Sequence, residues 1–238
     1  MMGLRAWDGV GRMLLCAVLK GRALLCVILA GGMALGAVAA KPAWEAESAQ
    51  TRPWVYNWWM GNAVTEAGLE AQTRALAEGG FGGFHVIPIY GVKGNAANEP
   101  RYLSPEWRAK WATAKRAAAR HGLGIDLTTG CGWCFGGRDV PLTNGAWRVD
   151  AQGRPEPGRI FVKRAPAQER GLMLDPYSPQ AMRAYLKAFE VLGEKPRAFY
   201  HDSWEYFGAS WTPRLFETFK ARRGYDLAPR WRELAGTG

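Results

Sequence analysis

Three helices in this chain open the same way. Ser104-Pro105, Ser178-Pro179 and Thr212-Pro213 each set a hydroxyl residue before a proline. The hydroxyl can accept a first-turn N–H, and proline at the first helical position lacks the N–H that would go unbonded there. Each helix is followed by a glycine stop: Gly122, Gly193 and Gly224. Trp107, Trp111, Ala114 and Ala118 share one face of the first helix. Met182, Tyr185, Leu186 and Phe189 recur at helical spacing in the second, which Pro196 cannot continue. Leu215, Phe216 and Phe219 point inward in the third. A further helix runs from about Thr65 to Glu78, with Leu69, Thr73 and Leu76 on one face, and ends at Gly79-Gly80.

Between these helices lie short apolar runs rich in β-branched and aromatic residues. They predict strands at Trp54–Trp59, Phe84–Tyr90, Ile125–Thr129 and Ala198–Asp202. Residues 131–170 read as irregular. Strand–helix alternation of this kind specifies an α/β fold: a parallel sheet with helical crossovers.

In such folds chemistry collects at the carboxyl ends of the strands. Those ends carry Asn57-Trp58-Trp59, Pro88-Ile89-Tyr90-Gly91, Thr128 to Trp133, and His201-Asp202-Ser203-Trp204-Glu205. All are polar and aromatic, the composition of a glycan cleft. The chain has 12 tryptophans, 11 of them beyond residue 40. That exceeds what a core needs and suggests flat platforms with a polar edge. No dinucleotide fingerprint or P-loop is present, so a nucleotide cofactor is not expected. Along an extended strand Phe199 and His201 face one way, Tyr200 and Asp202 the other. Glu205 then falls on the following loop. Packed near Trp204 or Trp211, its charged form would be disfavoured, which suits a general acid. The alternative is that Glu205 caps or salt-bridges the helix opening at Thr212.

The first 39 residues read as a signal peptide: Lys20 and Arg22, the apolar run at 23–38, then the small-x-small signature Ala37-Val38-Ala39. Cleavage is expected after Ala39 or Ala40. The product is exported, periplasmic or secreted, with no stable membrane anchor after cleavage. The mature charge is 27 Lys and Arg against 20 Asp and Glu, or +7. Basic residues are spread along helices such as residues 108–122, with no zinc-finger or basic-aromatic pattern, so no nucleic acid partner is read. Cys131-Gly132-Trp133-Cys134 lacks a helix start behind it and a second pair. Structural or idle thiols are expected rather than a redox or zinc centre.

Three stretches then carry a resemblance: RPWVYNWWMGNAVTEAGLEAQTRALAEGGFGGFHV, YLSPEWRAKWATAKRAAARHGLGIDLTTGCGW, and HDSWEYFGASWTPRLFETFKARRGYDL. Together they resemble the catalytic barrel of glycoside hydrolases of the α-L-rhamnosidase type (family 106), over most of residues 52–233. The resemblance implies a partial (β/α) TIM-type barrel of about four strand–helix units, with residues 40–238 as the N-terminal half of the catalytic domain. It implies cleavage of a terminal α-L-rhamnose or related deoxy-sugar by an inverting two-carboxylate mechanism. Glu205 matches the acid. Asp202, His201, Trp204, Trp133, Asn57 and His85 fall on matching strand ends, and Trp58 and Tyr90 complete the sugar-binding set. No cofactor is required by the sequence. A calcium ion is a feature of the resembled family, its ligands unassigned here.

An eight-unit barrel needs roughly 200–250 residues, and only four units are legible. A truncated or frameshifted product, inactive alone and lacking the second carboxylate, is the expectation. Two other classes remain: an exported glycan-binding fragment without catalysis, and a thiol–disulfide protein using Cys131 and Cys134.

Overall fold

The computed structural model describes residues 46–201 and 204–234. The signal peptide expected at 1–39 and the candidate Asp202 lie outside them. Strand β1 (Trp54–Met60), helix α1 (Glu66–Glu78), β2 (Gly83–Ile89), α2 (Pro105–Arg120) and β3 (Gly124–Thr128) follow in order. After two small antiparallel ladders come α3 (Pro179–Leu186), β8 (Phe199–Tyr200), α4 (Leu215–Arg223) and α5 (Trp231–Leu234). The ladders pair β4 (Gly136–Gly137) with β7 (Leu172–Met173), and β5 (Trp147–Val149) with β6 (Pro155–Pro157). They occupy the stretch that reads as irregular in sequence, where two or three residues per strand are too few to show a period.

The main sheet has the order β1-β2-β3-β8, and every pair in it is parallel. This is the mixed α/β layout that the alternation predicts. Trp54, Gly83 and Gly124 stand side by side in register. The Trp54 indole lies across both glycines, filling the space that a Cβ would need at either position. Two glycines in neighbouring strands are therefore a seat for one ring.

The helices seal one face of the sheet. Trp59, Leu69, Phe84, Val86, Trp107, Trp111 and Leu127 form its buried core. The Trp107 and Trp111 rings lie parallel, 6.1 Å apart, and each N–H finds an acceptor. Trp107 Nε1 donates to Asn62 Oδ1 at 3.0 Å, and Trp111 Nε1 donates to the Glu194 carbonyl at 2.7 Å. A buried indole needs such a partner to be favourable.

Two of the three hydroxyl–proline starts behave as predicted. Ser104 Oγ accepts the Trp107 N–H at 3.2 Å, and Ser178 Oγ accepts the Ala181 N–H at 3.2 Å. The third differs. Thr212 Oγ1 donates to Asp175 Oδ2 at 2.8 Å, and α4 begins only at Leu215, with Arg214 at its N-cap and no side-chain cap. Asp175 is 1% exposed. A buried carboxylate competes for a hydroxyl more strongly than an exposed helix end does. The inward face expected of α4 is accordingly weak: Leu215, Phe216 and Phe219 are half-buried. The second helix changes pitch after Leu186 and continues as a 3-10 turn, Lys187–Val191.

The seat under Trp54 can be tested. Gly124→Ala should destabilise the protein by about 1–3 kcal/mol, because the added methyl collides with the indole. Trp54→Leu removes the obstacle. In urea unfolding the double variant should therefore lose less than the two single losses combined. Simple additivity would mean that the glycine is there for another reason.

Candidate functional site

Alternation along β1 sorts its residues by face. Asn57 and Trp59 are buried, whereas Tyr56, Trp58 and Met60 are 44–48% exposed. Asn57 Nδ2 donates to Gln72 Oε1 on α1 at 3.1 Å. Asn57, expected at the sugar site, therefore points into the helix layer and ties strand to helix. Trp58 does sit on the open face, with its ring centroid 6.3 Å from that of Tyr90. Tyr90 turns the chain at φ +48°, and its N–H donates to the Arg164 carbonyl at 2.6 Å.

His85 is not at a strand tip. It is the third residue of β2, in register between Tyr56 and Asp126. Its ring stacks on Tyr200, with centroids 4.3 Å apart and an interplanar angle of 24°. Its Nδ1 lies 3.2 Å from Asp126 Oδ2. Asp126 is 2% exposed and collects further donors. Arg197 Nε and Nη2 bond Oδ1 and Oδ2 at 3.0 and 2.7 Å, and the Ala198 N–H bonds Oδ1 at 3.0 Å. The Arg197 guanidinium in turn lies 4.2 Å over the Trp54 ring. The Tyr56 and Tyr200 hydroxyls meet at 2.5 Å. Trp54, Tyr56, His85, Asp126, Arg197 and Tyr200 thus form one connected network on the open face of the sheet. Burial holds the His85 pKa below its ordinary value; Asp126 works against that, and Arg197 adds a smaller lowering.

The second group lies at the carboxyl ends of β3 and β8. Gly132, at φ +98°, turns the chain where any Cβ would meet the backbone at Lys163 and Ala165. The Trp133 and Lys163 backbones exchange both hydrogen bonds, at 2.7 and 2.8 Å. His201 packs on Phe135 (4.1 Å) and on the edge of Trp204 (5.1 Å), and Trp204 lies 5.4 Å from Tyr206. His201 and Phe199 face the helix side and Tyr200 the open side, as strand alternation requires. Trp133, Cys134, Phe135, Tyr200 and His201 line a crevice of about 20 Å³, room for roughly one water. A sugar would have to lie on the surface above it.

Glu205 is half-buried beside Cys134. Trp204 is 68% exposed, and Trp211 is buried against Phe216 and Trp231.

Both cysteines are buried thiols. Burial pushes the Cys131 and Cys134 pKa values up, and nearby carboxylates (Glu169 for Cys131, Glu205 for Cys134) add to the rise. A low-pKa nucleophile is the opposite situation. Among the described residues no three His, Cys, Asp or Glu side chains converge on a point suited to a metal ion. Among the same residues no helix is long and apolar enough to cross a membrane.

Asp126, Arg197, Tyr56 and Tyr200 are the open-face residues that sequence reasoning passed over. The signal for Asp126 was present: a carboxylate between Ile125 and Leu127 in a buried strand must be paired. Nothing in the sequence identifies its partner as Arg197, which is 71 residues away.

The His85 pKa gives a direct test. By NMR titration the imidazole should titrate below the ordinary histidine value. Asp126→Asn should lower it further, since the carboxylate is what raises it. Because the folded pKa is depressed, this histidine should cost stability as pH falls through the unfolded and then the folded pKa. A pKa that rises in Asp126→Asn would contradict the geometry.

No protein-family profile matches the chain. No curated protein matches its sequence. Among solved structures, the chain is similar to a rhamnosidase from Novosphingobium sp. PP1Y at 23% identity and a TM-score of 0.36. The likeness covers 42% of this chain and 10% of that one, so the matched part spans a tenth of that protein's length.

Proposed function

We propose that this chain carries the proton-donating part of a glycoside hydrolase site acting on a terminal α-L-rhamnose or related deoxy-sugar, in an exported protein. One observation supports this above the rest. Parallel strands β2, β3 and β8 deliver Tyr90, Trp133, His201 and Trp204 to the same end of the sheet as the half-buried carboxylate Glu205. The YLSPEW, DSWE and RRGYDL stretches add the sequence resemblance to it.

In this reading Glu205 protonates the leaving oxygen, and Asp202 positions the sugar or tunes that acid by like-charge repulsion. A second carboxylate activates water from the opposite face. Tyr56, Trp58 and Tyr90 offer a sugar ring an apolar floor with polar edges. The polar network of His85, Asp126 and Tyr200 holds that floor in place.

A second reading is favoured by the exposure of Trp58 and Trp204: the surface binds glycan without turning it over. Thermal or fluorescence titration with L-rhamnose, paired with aryl-rhamnoside hydrolysis, separates the two. Under the first reading the matching Glu→Gln change in a complete relative, which carries both carboxylates, should cut hydrolysis of a methyl rhamnoside by roughly 10²–10⁴-fold and that of a dinitrophenyl rhamnoside far less, because only the poor leaving group needs the proton. Rhamnose binding by this chain that is lost in Trp204→Ala, with a leaving-group-independent loss in the relative's variant, would establish the second. No saturable rhamnose binding and no hydrolysis would dismiss both.

A further inference from the structure

We propose that the cavity on the helix side of the sheet is a separate ligand site, taking a small neutral alcohol or phenol with an apolar body. The cavity measures about 640 Å³, within the range of roughly 300–1,000 Å³ typical of small-molecule sites. It opens between the segment leading into α2, the loop after β3, and α3 with its 3-10 extension. Leu103, Val140, Leu174, Tyr185, Phe189 and Val191 give it apolar walls.

Its polar feature is Glu169, which lines the cavity and is 4% exposed. Oε1 accepts the Tyr102 N–H at 2.7 Å. Oε2 receives no hydrogen bond from any described residue. A carboxylate oxygen left facing a cavity is a strong acceptor for a donor placed there. A hydroxyl delivered from the cavity would satisfy it.

The charges nearby decide which donor fits. Burial raises the Glu169 pKa above the ordinary carboxylate value; the Tyr102 N–H, Arg101 and Arg138 work against that rise. Arg101 Nη2 also binds both oxygens of Asp139, at 2.9 and 2.6 Å. Arg138 also lies 3.8 Å from Asp139, so the two guanidinium groups and the two carboxylates of the rim balance, and an ammonium ligand would have to shed its water against the apolar walls, which is costly. An anionic ligand would meet Glu169 itself. A neutral O–H donor suffers neither penalty, and its hydrocarbon body would rest on the apolar walls. This site does not depend on the glycosidase reading: none of Tyr90, Trp133, His201, Trp204 or Glu205 lines it.

Calorimetry on the full chain at pH 8 with two probes tests the proposal. They are 4-propylphenol, which can donate, and 4-propylanisole, which can only accept. The phenol should bind saturably and roughly tenfold tighter than the ether, the factor for one net hydrogen bond. Glu169→Gln keeps an oxygen for the Tyr102 N–H but offers the ligand an NH₂ instead, so the preference should shrink or reverse. Ala188→Trp, at an exposed position lining the cavity, should abolish binding of both probes while circular dichroism stays unchanged. No saturable binding of the phenol would overturn the site, as would equal affinity for the two probes or binding unaltered by Ala188→Trp. Those three results stand even where Glu169→Gln fails to fold. If that variant folds, an unchanged preference would remove Glu169 from it.

Discussion

A single buried carboxylate holds the edge of this sheet together. β8 contributes only two residues and two register positions against β3, too short a ladder to be stable by itself. Asp126 supplies what the ladder lacks. It sits in β3, takes the Ala198 N–H at the entry to β8, and binds the Arg197 guanidinium through both oxygens. Carrying a carboxylate into a strand interior is costly unless every lone pair is used. Here the donors that stabilise the charge come from the segment that must be positioned. The electrostatic requirement of one residue is thereby converted into the placement of another strand.

The consequences run outward along β8. With Arg197 fixed, Tyr200 lands against His85 and Tyr56, and the next residue, His201, turns to the other side and meets Phe135. Arg197 also lies over Trp54, whose ring covers Gly83 and Gly124. The network therefore spans all four strands, from the Trp54 end of β1 to Tyr200 in β8. A change at Asp126 would be felt at the tip carrying Trp204 and Glu205, although it touches neither.

Much of the fold was legible because helices and strands here follow local rules. The hydroxyl–proline starts at Ser104 and Ser178, the glycine stop at Gly224, and the apolar faces of α1 and α2 all depend on residues within a turn or two of each other. The failures are non-local. Thr212 reads as a cap, but its hydroxyl belongs to Asp175, 37 positions away. Asn57 reads as a cleft residue because it stands near a strand end; its partner Gln72, on the following helix, turns it inward. His85 was placed at a tip when the strand continues four residues beyond it. The small ladders between residues 136 and 173 gave no periodic signal, yet they fix Lys163 and Arg164 against Trp133 and Tyr90 and so build the rim of the candidate site.

The two faces of the sheet differ in the way their polar groups are satisfied, and that difference bears on function. On the open face the groups hold one another: Asp126 bonds Arg197, His85 Nδ1 lies 3.2 Å from Asp126 Oδ2 while its ring stacks on Tyr200, and Tyr200 meets Tyr56. Such a network is stiff and has little capacity to respond. On the helix side, Tyr185 donates across the loop after β3, its oxygen lying 2.7 Å from the Thr129 carbonyl and 2.9 Å from that of Gly136. That contact fastens α3 over the sheet. Beside it Glu169 commits Oε1 to the Tyr102 N–H and turns its carboxylate to the cavity wall. The open face is built to be rigid beneath whatever lies on it, whereas the cavity behind it retains an unspent acceptor.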